Sequence, residues 1–332
     1  MRALVTGGCG FIGSNLVKTL VEHGHRADVV DDFSTGDISS LEGLNLRNLM
    51  GVLGEQYEQT HEAERTNDTV LVVQGDIEDE FILSRIRRGY YDVVFHLAAN
   101  PRVSVSVESP ALTTDVNCTR SLSLLEAVRD CESDARFIFS STCALYGNAE
   151  NLPTMETSPA IPSSPYGLQK RFVEEYIRIA TDLHGIDAVC LRYFNVYGPR
   201  QVADSAYATA ITAWCNRVKE EKPLRSDGDG EQSRDLVFVG DVVRANILAA
   251  TREERFNGEC INIGSGERHT NNKILSLFKK RFPSIEVVNA PPRPGDVKHT
   301  LADISLARDL LGYVPQVKFE QGLKMTWNWW GI

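Results

Sequence analysis

The sequence has no surplus of positive charge, because 35 Lys and Arg residues are outnumbered by 45 Asp and Glu residues, for a formal net charge of −10. It also lacks an apolar run of the ~18 residues that a membrane span needs. It does not begin with the charged and then apolar segment of a secretory signal. From the missing secretory signal we expect a cytoplasmic protein, and from the missing apolar run we expect no membrane partner. A phosphate backbone requires a basic surface, so we also expect no nucleic-acid partner. The negative net charge does not exclude a nucleotide ligand, because backbone amides and a few arginines can hold it.

The sequence also lacks closely spaced pairs of cysteines. The seven cysteines are scattered and form no Cys-x-x-Cys pair, and the seven histidines show no ligand spacing. This pattern is typical of reduced thiols that behave as small apolar side chains. We therefore expect no metal site.

The first half of the chain alternates short apolar runs with helical patterns. Parallel strands that are buried on both faces have such continuous apolar runs, and alternation with helices indicates right-handed βαβ units. The predicted fold is an α/β, doubly wound Rossmann parallel sheet with a smaller, interwoven C-terminal substrate lobe. The predicted strands cover residues 2–5, 28–31, 70–74, 92–97 and 136–140.

The chain of 332 residues is long enough for one large domain or two intimate ones. We assign residues 1–195 to a cofactor-binding domain and residues 196–332 mainly to the substrate lobe, with segments around 234–265 returning to the first domain. The polar stretch 39–68 is long for a connection. We expect it to contain a helix and to lie outside the sheet, and we expect residues 222–230 to be rich in turns.

A glycine-rich segment follows the first predicted strand and precedes a helical pattern. Gly7, Gly10 and Gly13 form Gly-x-x-Gly-x-x-Gly, in which the glycines permit a tight turn, approach of a pyrophosphate and close helix packing. The helix N-terminus would then offer its N–H groups to phosphate. A plain glycine turn without a ligand is the alternative. Asp31 weakens that alternative, because it ends the next strand near the ~20-residue spacing of a ribose-binding carboxylate and favours NAD over NADP.

A second pattern combines Tyr166 and Lys170, which lie four residues apart after Pro165 and so share a helix face. A nearby ammonium group favours the phenolate, so we expect Lys170 to lower the pKa of Tyr166 and make it a base. An incidental pair on an amphipathic helix is the alternative. The hydroxyl run Ser140–Thr142 at the end of a buried strand favours the catalytic interpretation, since doubly wound sheets bind ligands at that edge.

Together these motifs resemble the extended short-chain dehydrogenase/reductase family, of the NAD-dependent epimerase/dehydratase type, over nearly the whole chain. The resemblance implies that Thr142, Tyr166 and Lys170 are catalytic and that NAD is the cofactor. The cofactor-binding residues that it implies are Gly7, Gly10, Phe11, Ile12, Gly13, Asp31, Asp32, Ser34, Thr35, Gly36, Asp76, Ile77, Leu97, Ala98, Ala99, Asn117, Ser140, Tyr166, Lys170, Tyr193 and Val196. For Asp76, a loop carboxylate that caps a helix is an equally good interpretation.

The residues after Thr142 divide this family by reaction. Its dehydratases and decarboxylases place acidic residues there, whereas this chain has Cys143 and Ala144. The resemblance therefore implies 4-epimerisation of a UDP-sugar through a transient 4-keto sugar. A UDP-glucose-only epimerase, a net oxidoreductase and a non-catalytic NAD-binding regulator are the alternatives.

The resemblance also implies a substrate site and a homodimer. Arg234 and Arg293 match diphosphate-binding positions, and Thr300 falls where a small residue leaves room for an N-acetyl group at C2 of the sugar. UDP-N-acetylglucosamine and UDP-N-acetylgalactosamine are therefore the expected substrates, with UDP-glucose and UDP-galactose also permitted. The homodimer would pair helices around residues 117–129 and 166–184. The implied substrate-binding residues are Thr142, Tyr166, Asn195, Ala208, Trp214, Arg234, Arg293, Asp296 and Thr300.

Overall fold

An eight-stranded parallel sheet forms the centre of the computed structural model, which describes residues 1–49, 66–202, 209–292 and 297–332. Its strands are β1 Arg2–Thr6, β2 Arg26–Asp31, β3 Asn45–Leu49, β4 Thr69–Gln74, β5 Val93–His96, β6 Arg136–Thr142, β7 Ala188–Tyr193 and β11 Asn257–Ile263. Their order in the sheet is β11-β7-β6-β5-β1-β2-β4-β3. The order reverses beside β1, and ligands bind at the carboxyl ends of the strands at such a point. The predicted doubly wound α/β fold is confirmed.

Helices cover both faces of the sheet because its strands bury both faces. In β1, Leu4 belongs to one apolar cluster and Val5 to the cluster on the opposite face. Among the described helices, none is both long and apolar enough to cross a bilayer. The helices are α1 Phe11–Glu22, α2 Glu80–Arg87, α3 Val103–Glu108, α4 Pro110–Thr114, α5 Arg120–Arg129, α6 Pro165–His184, α7 Ala210–Lys219, α8 Val239–Thr251, α9 Asn271–Arg281, α10 Ser305–Leu311 and α11 Phe319–Trp330.

The stretch 39–68 departs from its prediction. Its residues Asn45–Leu49 form β3, which pairs in parallel with β4 at the edge of the sheet, so the expectation that the stretch lies outside the sheet is wrong. Helical structure in its described part is limited to the end of the 3-10 turn Ile38–Leu41. An edge strand pairs with only one neighbour and tolerates polar residues. The sequence Asn-Leu-Arg-Asn-Leu was therefore not predicted to be a strand.

The smaller lobe contains two small sheets. One joins β8 Asn195–Tyr197, β10 Ser233–Phe238 and β12 Arg268–Thr270, and the other pairs β9 Leu224–Asp227 with β13 Val287–Ala290. The segment 222–230, which was expected to be rich in turns, contains β9 and then a turn at residues 228–230. Within residues 234–265, β10 pairs with β8, whereas β11 joins the main sheet beside β7 and α8 packs its apolar side chains against the core of that sheet. The division of the chain at residue 195 stays a prediction.

A buried histidine links β1 to the helices behind the sheet. The Ala98 N–H donates to Thr6 Oγ1 (3.1 Å), and Thr6 Oγ1 lies 2.8 Å from His96 Nδ1. On the other side of the ring, His96 Nε2 lies 2.8 Å from Ser121 Oγ, which donates to the Asn117 carbonyl (2.8 Å). These contacts fit a neutral ring that is protonated on Nε2. Burial and the nearby Lys170 lower the pKa of His96 to about 3.

This histidine predicts how stability depends on pH. The unfolded chain binds a proton at His96 below pH 6.5 and the folded chain only near pH 3, so the free energy of unfolding should fall as the pH drops through this window. At 1.36 kcal/mol per pH unit, His96 alone should remove about 2 kcal/mol between pH 6.5 and 5. Urea unfolding of wild type and His96→Asn at several pH values measures the effect. A stability difference between the two proteins that is independent of pH would contradict it.

Candidate active site

The glycine-rich turn between β1 and α1 has the geometry that a phosphate ligand requires. Gly7 has a φ of +68°, and a Cβ there would lie 2.8 Å from the Ala98 nitrogen. A Cβ on Gly13 would lie 2.2 Å from the Gly7 carbonyl oxygen. Helix α1 begins at Phe11 with Gly10 as its N-cap, which has no side chain to occupy the first N–H groups. These residues fit a dinucleotide pyrophosphate, as the sequence predicts.

Asp31 has a structural role that sequence analysis did not foresee. Its carboxylate accepts the N–H groups of Cys9 and Phe33, each at 2.9 Å, and so holds the glycine-rich turn against the end of β2. Burial raises the pKa of Asp31, and these two hydrogen bonds oppose the rise. A carboxylate has about four acceptor sites, so capacity is left for ribose hydroxyls.

The loop after β2 folds over the glycine-rich turn. Asp37 N–H and Ser40 Oγ both donate to the Cys9 carbonyl, at 3.3 and 2.9 Å. Asp32 accepts the Ser34 N–H (2.8 Å), and Thr35 and Gly36 line the same cavity as Gly10 and Phe11. The residues after Asp31 are thus brought to the predicted cofactor site by the chain's own contacts.

Asp76 is occupied by other partners. It forms an ion pair with Arg120 and accepts the Glu78 N–H (3.1 Å), while the helix-capping role falls to Asp79, whose carboxylate accepts the Phe81 N–H (2.9 Å). The alternative that Asp76 caps a helix is therefore wrong. Its contact with adenine stays a prediction.

Thr142, Tyr166 and Lys170 come together at the carboxyl end of β6. Thr142 ends β6, where its hydroxyl accepts the Ala144 N–H (3.2 Å). Tyr166 lies in the first turn of α6, where Ser164 caps the helix by accepting the Gly167 N–H (3.2 Å). Lys170 lies one turn further on with its side chain buried, and its Nζ donates to the Ser140 carbonyl (2.9 Å).

The pKa of Tyr166 differs from the sequence-based expectation. Burial raises it, the Cys143 thiol adds to the rise, and the Thr142 hydroxyl opposes it. Burial also lowers the pKa of Lys170 to about 8. The expected lowering of the tyrosine pKa by Lys170 is therefore wrong for the polypeptide alone, because the ammonium group donates to Ser140 and burial dominates at both residues.

Asn117 lies behind the site in a π-helical turn, Asp115–Thr119. Its side chain binds the main chain of Asn100 twice, accepting from the N–H (2.7 Å) and donating to the carbonyl (3.1 Å). It also donates to Gln169 Oε1 (2.8 Å). Two further residues, Gln169 and Ser106, were not predicted from the sequence. The Ser106 Oγ accepts the Tyr166 N–H (3.1 Å). The position of Gln169 between the tyrosine and the lysine was the available signal.

Several predicted cofactor residues have their side chains in the core. The Tyr193 hydroxyl is buried and donates to Asn246 (3.0 Å), and Ile77 is buried among apolar residues. Leu97 and Val196 pack partly against the core, and Ile12 does the same at the start of α1. A cofactor contact from Tyr193 or Ile77 would have to come from the main chain. Ala98 and Ala99 follow β5 at the same sheet edge, where the Ala98 N–H binds Thr6.

On the substrate side, one hydrogen-bonded cluster joins β8, β10 and the segment around Thr300. Asn195 Nδ2 donates to Thr300 Oγ1 (2.9 Å) and to the Asp235 carbonyl (3.1 Å). The buried Asp235 carboxylate accepts the N–H groups of Ser265, Gly266 and Ala302. This cluster places the Thr300 side chain at the wall of the cavity.

A cavity of about 1570 Å³ connects the two halves of the site. It runs from the glycine-rich turn past Cys143 and Asn195 to Arg234 and Thr300. The Arg234 guanidinium donates to the carbonyls of Ser233 (3.1 Å) and Lys298 (3.2 Å).

Trp214 also lines the cavity, but its indole is mainly a core group. It is buried against Phe278 and donates to the Arg225 carbonyl (2.8 Å). The predicted substrate residues Ala208, Arg293 and Asp296 lie outside the described residues.

Residues 4–326 match the family model described as GDP-mannose 4,6 dehydratase. The UDP-N-acetylglucosamine 4-epimerase of Methanobrevibacter ruminantium, solved with UDP-N-acetylmuramic acid, is 34% identical, with a TM-score of 0.86 over 99% of this chain and 97% of that one. The Thermotoga maritima UDP-glucose 4-epimerase, solved with UDP-glucose, is 37% identical, with a TM-score of 0.85 over 100% and 99%.

The Thermus thermophilus UDP-glucose 4-epimerase, solved with NAD, is 31% identical, with a TM-score of 0.82 over 100% and 99% of the two chains. The match to the family model covers nearly the whole chain. The same fold contains the glycine-rich turn and the cluster of Thr142, Tyr166 and Lys170. The chain therefore belongs to the NAD-dependent epimerase/dehydratase family.

Proposed function

We propose that this protein binds NAD and catalyses the 4-epimerisation of a UDP-sugar. The observation that carries the proposal is the placement of Thr142, at the end of β6, and Tyr166, in the first turn of α6, beside a cavity lined by Cys143, Ala144 and Ser164. This arrangement offers a phenol that accepts a proton when it is ionised, next to a hydroxyl that can relay the proton. The similar epimerases of Thermotoga maritima and Thermus thermophilus, solved with UDP-glucose and with NAD, support the ligands proposed.

Proton transfer, positioning and diphosphate binding are assigned to different residues of the chain. Tyr166 takes the proton of the C4 hydroxyl, directly or through Thr142, and returns it after the sugar has turned. NAD, when bound, supplies the acceptor and later the donor of the C4 hydride. Lys170 fixes the strand end through Ser140, and Arg234 holds the diphosphate while the sugar presents its second face.

Elimination of water is a less suitable reaction for this site, although the matched family model is described as a dehydratase. A dehydratase of this family needs acid–base groups after the position of Thr142. Burial and Asp235 raise the pKa of the Cys143 thiol to about 12, so the thiol stays protonated near neutral pH. Ala144 has no group that can exchange a proton.

Within the UDP-sugars, N-acetylated hexosamines are the substrates we propose. Thr300 is small, and its side chain is held at the cavity wall by Asn195 and the Asp235 N–H. The similar epimerase of Methanobrevibacter ruminantium acts on UDP-N-acetylglucosamine, which supports this choice. UDP-glucose should also react, since a pocket that is wide enough for an N-acetyl group rejects a smaller substituent only weakly.

The catalytic role of Tyr166 is tested by Tyr166→Phe. We expect kcat for epimerisation to fall about 10²–10⁴-fold, because the phenolic proton acceptor is lost, while bound NAD is retained. Tyr90→Phe, which changes a tyrosine just before β5 and so at the opposite edge of the sheet, is the control and should leave kcat unchanged. Chromatographic separation of the epimers measures the rate. Near-normal turnover by Tyr166→Phe would exclude the proposed base.

The substrate preference is tested at Thr300. Thr300→Tyr should lower kcat/KM for UDP-N-acetylglucosamine about 10- to 100-fold more than for UDP-glucose, because the ring takes the space of the N-acetyl group. Thr300→Ser keeps the hydroxyl that Asn195 binds and should retain both activities. An equal loss for both substrates in Thr300→Tyr would show that Thr300 does not face C2 of the sugar. A wild-type enzyme active only on UDP-glucose would favour the narrower epimerase.

The protein should act as a homodimer. Helix α6 carries Leu168, Phe172, Tyr176, Ile179 and Leu183 at helical spacing, and each is more than 40% exposed. A stripe of large apolar side chains along a 20-residue helix is typical of an interface rather than of a solvated surface. A second copy of this chain is the occupant we propose, since the same stripe can pair with itself about a twofold axis.

Charged residues in the stripe should separate the subunits. The double variant Phe172→Glu, Leu183→Glu should sediment as a monomer, because pairing would bury two unpaired carboxylates. Val288→Glu, a similarly exposed apolar residue in β13, is the control and should remain dimeric. Sedimentation equilibrium at micromolar concentration measures the mass. A monomeric wild-type protein would contradict the proposal.

A further inference from the structure

We propose that Gln169 is a positioning residue that joins the catalytic turn of α6 to the loop after β5, through a buried hydrogen-bond network that crosses the π-helical turn. The proposal rests on the epimerase chemistry proposed above and adds to it a residue that touches neither the substrate nor the cofactor. Gln169 follows Tyr166 by three residues and precedes Lys170 directly.

Both Nε2 and Oε1 of the Gln169 side chain form hydrogen bonds. Its side chain is 4% exposed, Nε2 donates to Thr113 Oγ1 (2.9 Å) and Thr114 Oγ1 (3.1 Å), and Oε1 accepts from Asn117 Nδ2 (2.8 Å). Its main-chain carbonyl accepts a weak hydrogen bond from Cys118 Sγ (3.6 Å). The hydrogen bonds with Thr113 and Asn117 are buried, so losing either of them leaves a polar group buried without a partner.

The π-helical turn is what presents Asn117 to Gln169. Helix α4 leads directly into Asp115–Thr119, where the wider turn accommodates an extra residue before α5 begins at Arg120. Asn117 is 1% exposed, and its amide holds the Asn100 main chain by both the N–H and the carbonyl. Asn100 is followed by Pro101 and Arg102, which line the cavity.

The network therefore ties two walls of the site together. One wall is the first turn of α6 with Tyr166, and the other is the loop from Asn100 to Arg102. Gln169 is the residue that connects them, because its amide binds α4 at one end and Asn117 at the other. Small displacements of reacting groups are costly in catalysis, and a shift of about 1 Å can lower a rate about 10²-fold. Removing the amide should therefore affect the rate of the chemical steps more than the binding of substrate.

Gln169→Met tests this role, since methionine has a similar length and no amide. We expect kcat to fall about 10- to 100-fold, KM to change less than threefold and bound NAD to be retained. We also expect the pH profile of kcat to shift, because Tyr166 would no longer be held in the same position. Thr181→Val is the matched control. Thr181 is a buried hydroxyl of the same helix for which the described part of the chain supplies no hydrogen-bond partner, and its loss should leave kcat and the pH profile unchanged.

A lower melting temperature with kcat and pH profile unchanged would overturn the proposal, because it would show a purely structural role. If Gln169→Met does not fold, the double variant Thr113→Val, Thr114→Val decides. A fall in kcat of more than fivefold supports the proposal, and an unchanged kcat overturns it.

A wild-type protein that epimerises no UDP-sugar counts against the proposed function. The role of Gln169 is then read from hydrogen exchange of the Asn100 main-chain N–H, which donates to Asn117 Oδ1, in wild type and Gln169→Met, with the N–H of Val5 in β1 as the reference. Exchange at least about tenfold faster at Asn100 than at Val5 relative to wild type supports the positioning role, and an equal change at both sites overturns it.

Discussion

The buried ammonium group of Lys170 is the constraint on which the site depends. A cation without water must be surrounded by acceptors, and Lys170 finds the Ser140 carbonyl at 2.9 Å and the face of the Phe139 ring at 4.6 Å. Both partners belong to β6. The need to satisfy this charge therefore holds the second turn of α6 against the end of β6, and the first turn, with Tyr166, lies beside Thr142 as a consequence.

Burial acts in opposite directions on the two ionisable groups of this turn. It raises the pKa of Tyr166 and lowers the pKa of Lys170 to about 8, so the polypeptide disfavours the charged form of both. The polypeptide alone therefore positions Tyr166 but does not favour its ionised form. On the substrate side, a buried polar group also fixes the position of a site residue. The Asp235 carboxylate accepts the N–H groups of three residues and so holds in place the strand that carries Arg234.

Much of the fold and the centre of the site were predictable, because both depend on short spacings. The apolar runs of β1, β2, β4, β5 and β6 were recognised, since strands buried on both faces have few polar residues. The edge strand β3 was missed, because its stability comes from pairing with β4 and not from an apolar run. The lowered pKa expected for Tyr166 was wrong for the polypeptide alone, because the spacing of Tyr166 and Lys170 contains no information about burial or about the competing acceptor at Ser140.

The sequence by itself determined the features that one turn of helix or one strand end encodes: a glycine-rich turn before α1, a carboxylate at the end of β2, and Tyr166 and Lys170 on one helix face. Only the tertiary structure decided how these features are held. Asp31 clamps the turn through Cys9, and Gln169 reaches Thr113 across 56 residues of chain. The physical reason is that a local pattern fixes backbone geometry over a few residues. The partner of a buried polar group is instead chosen by whichever donor or acceptor packing brings within about 3 Å, and this depends on the whole fold.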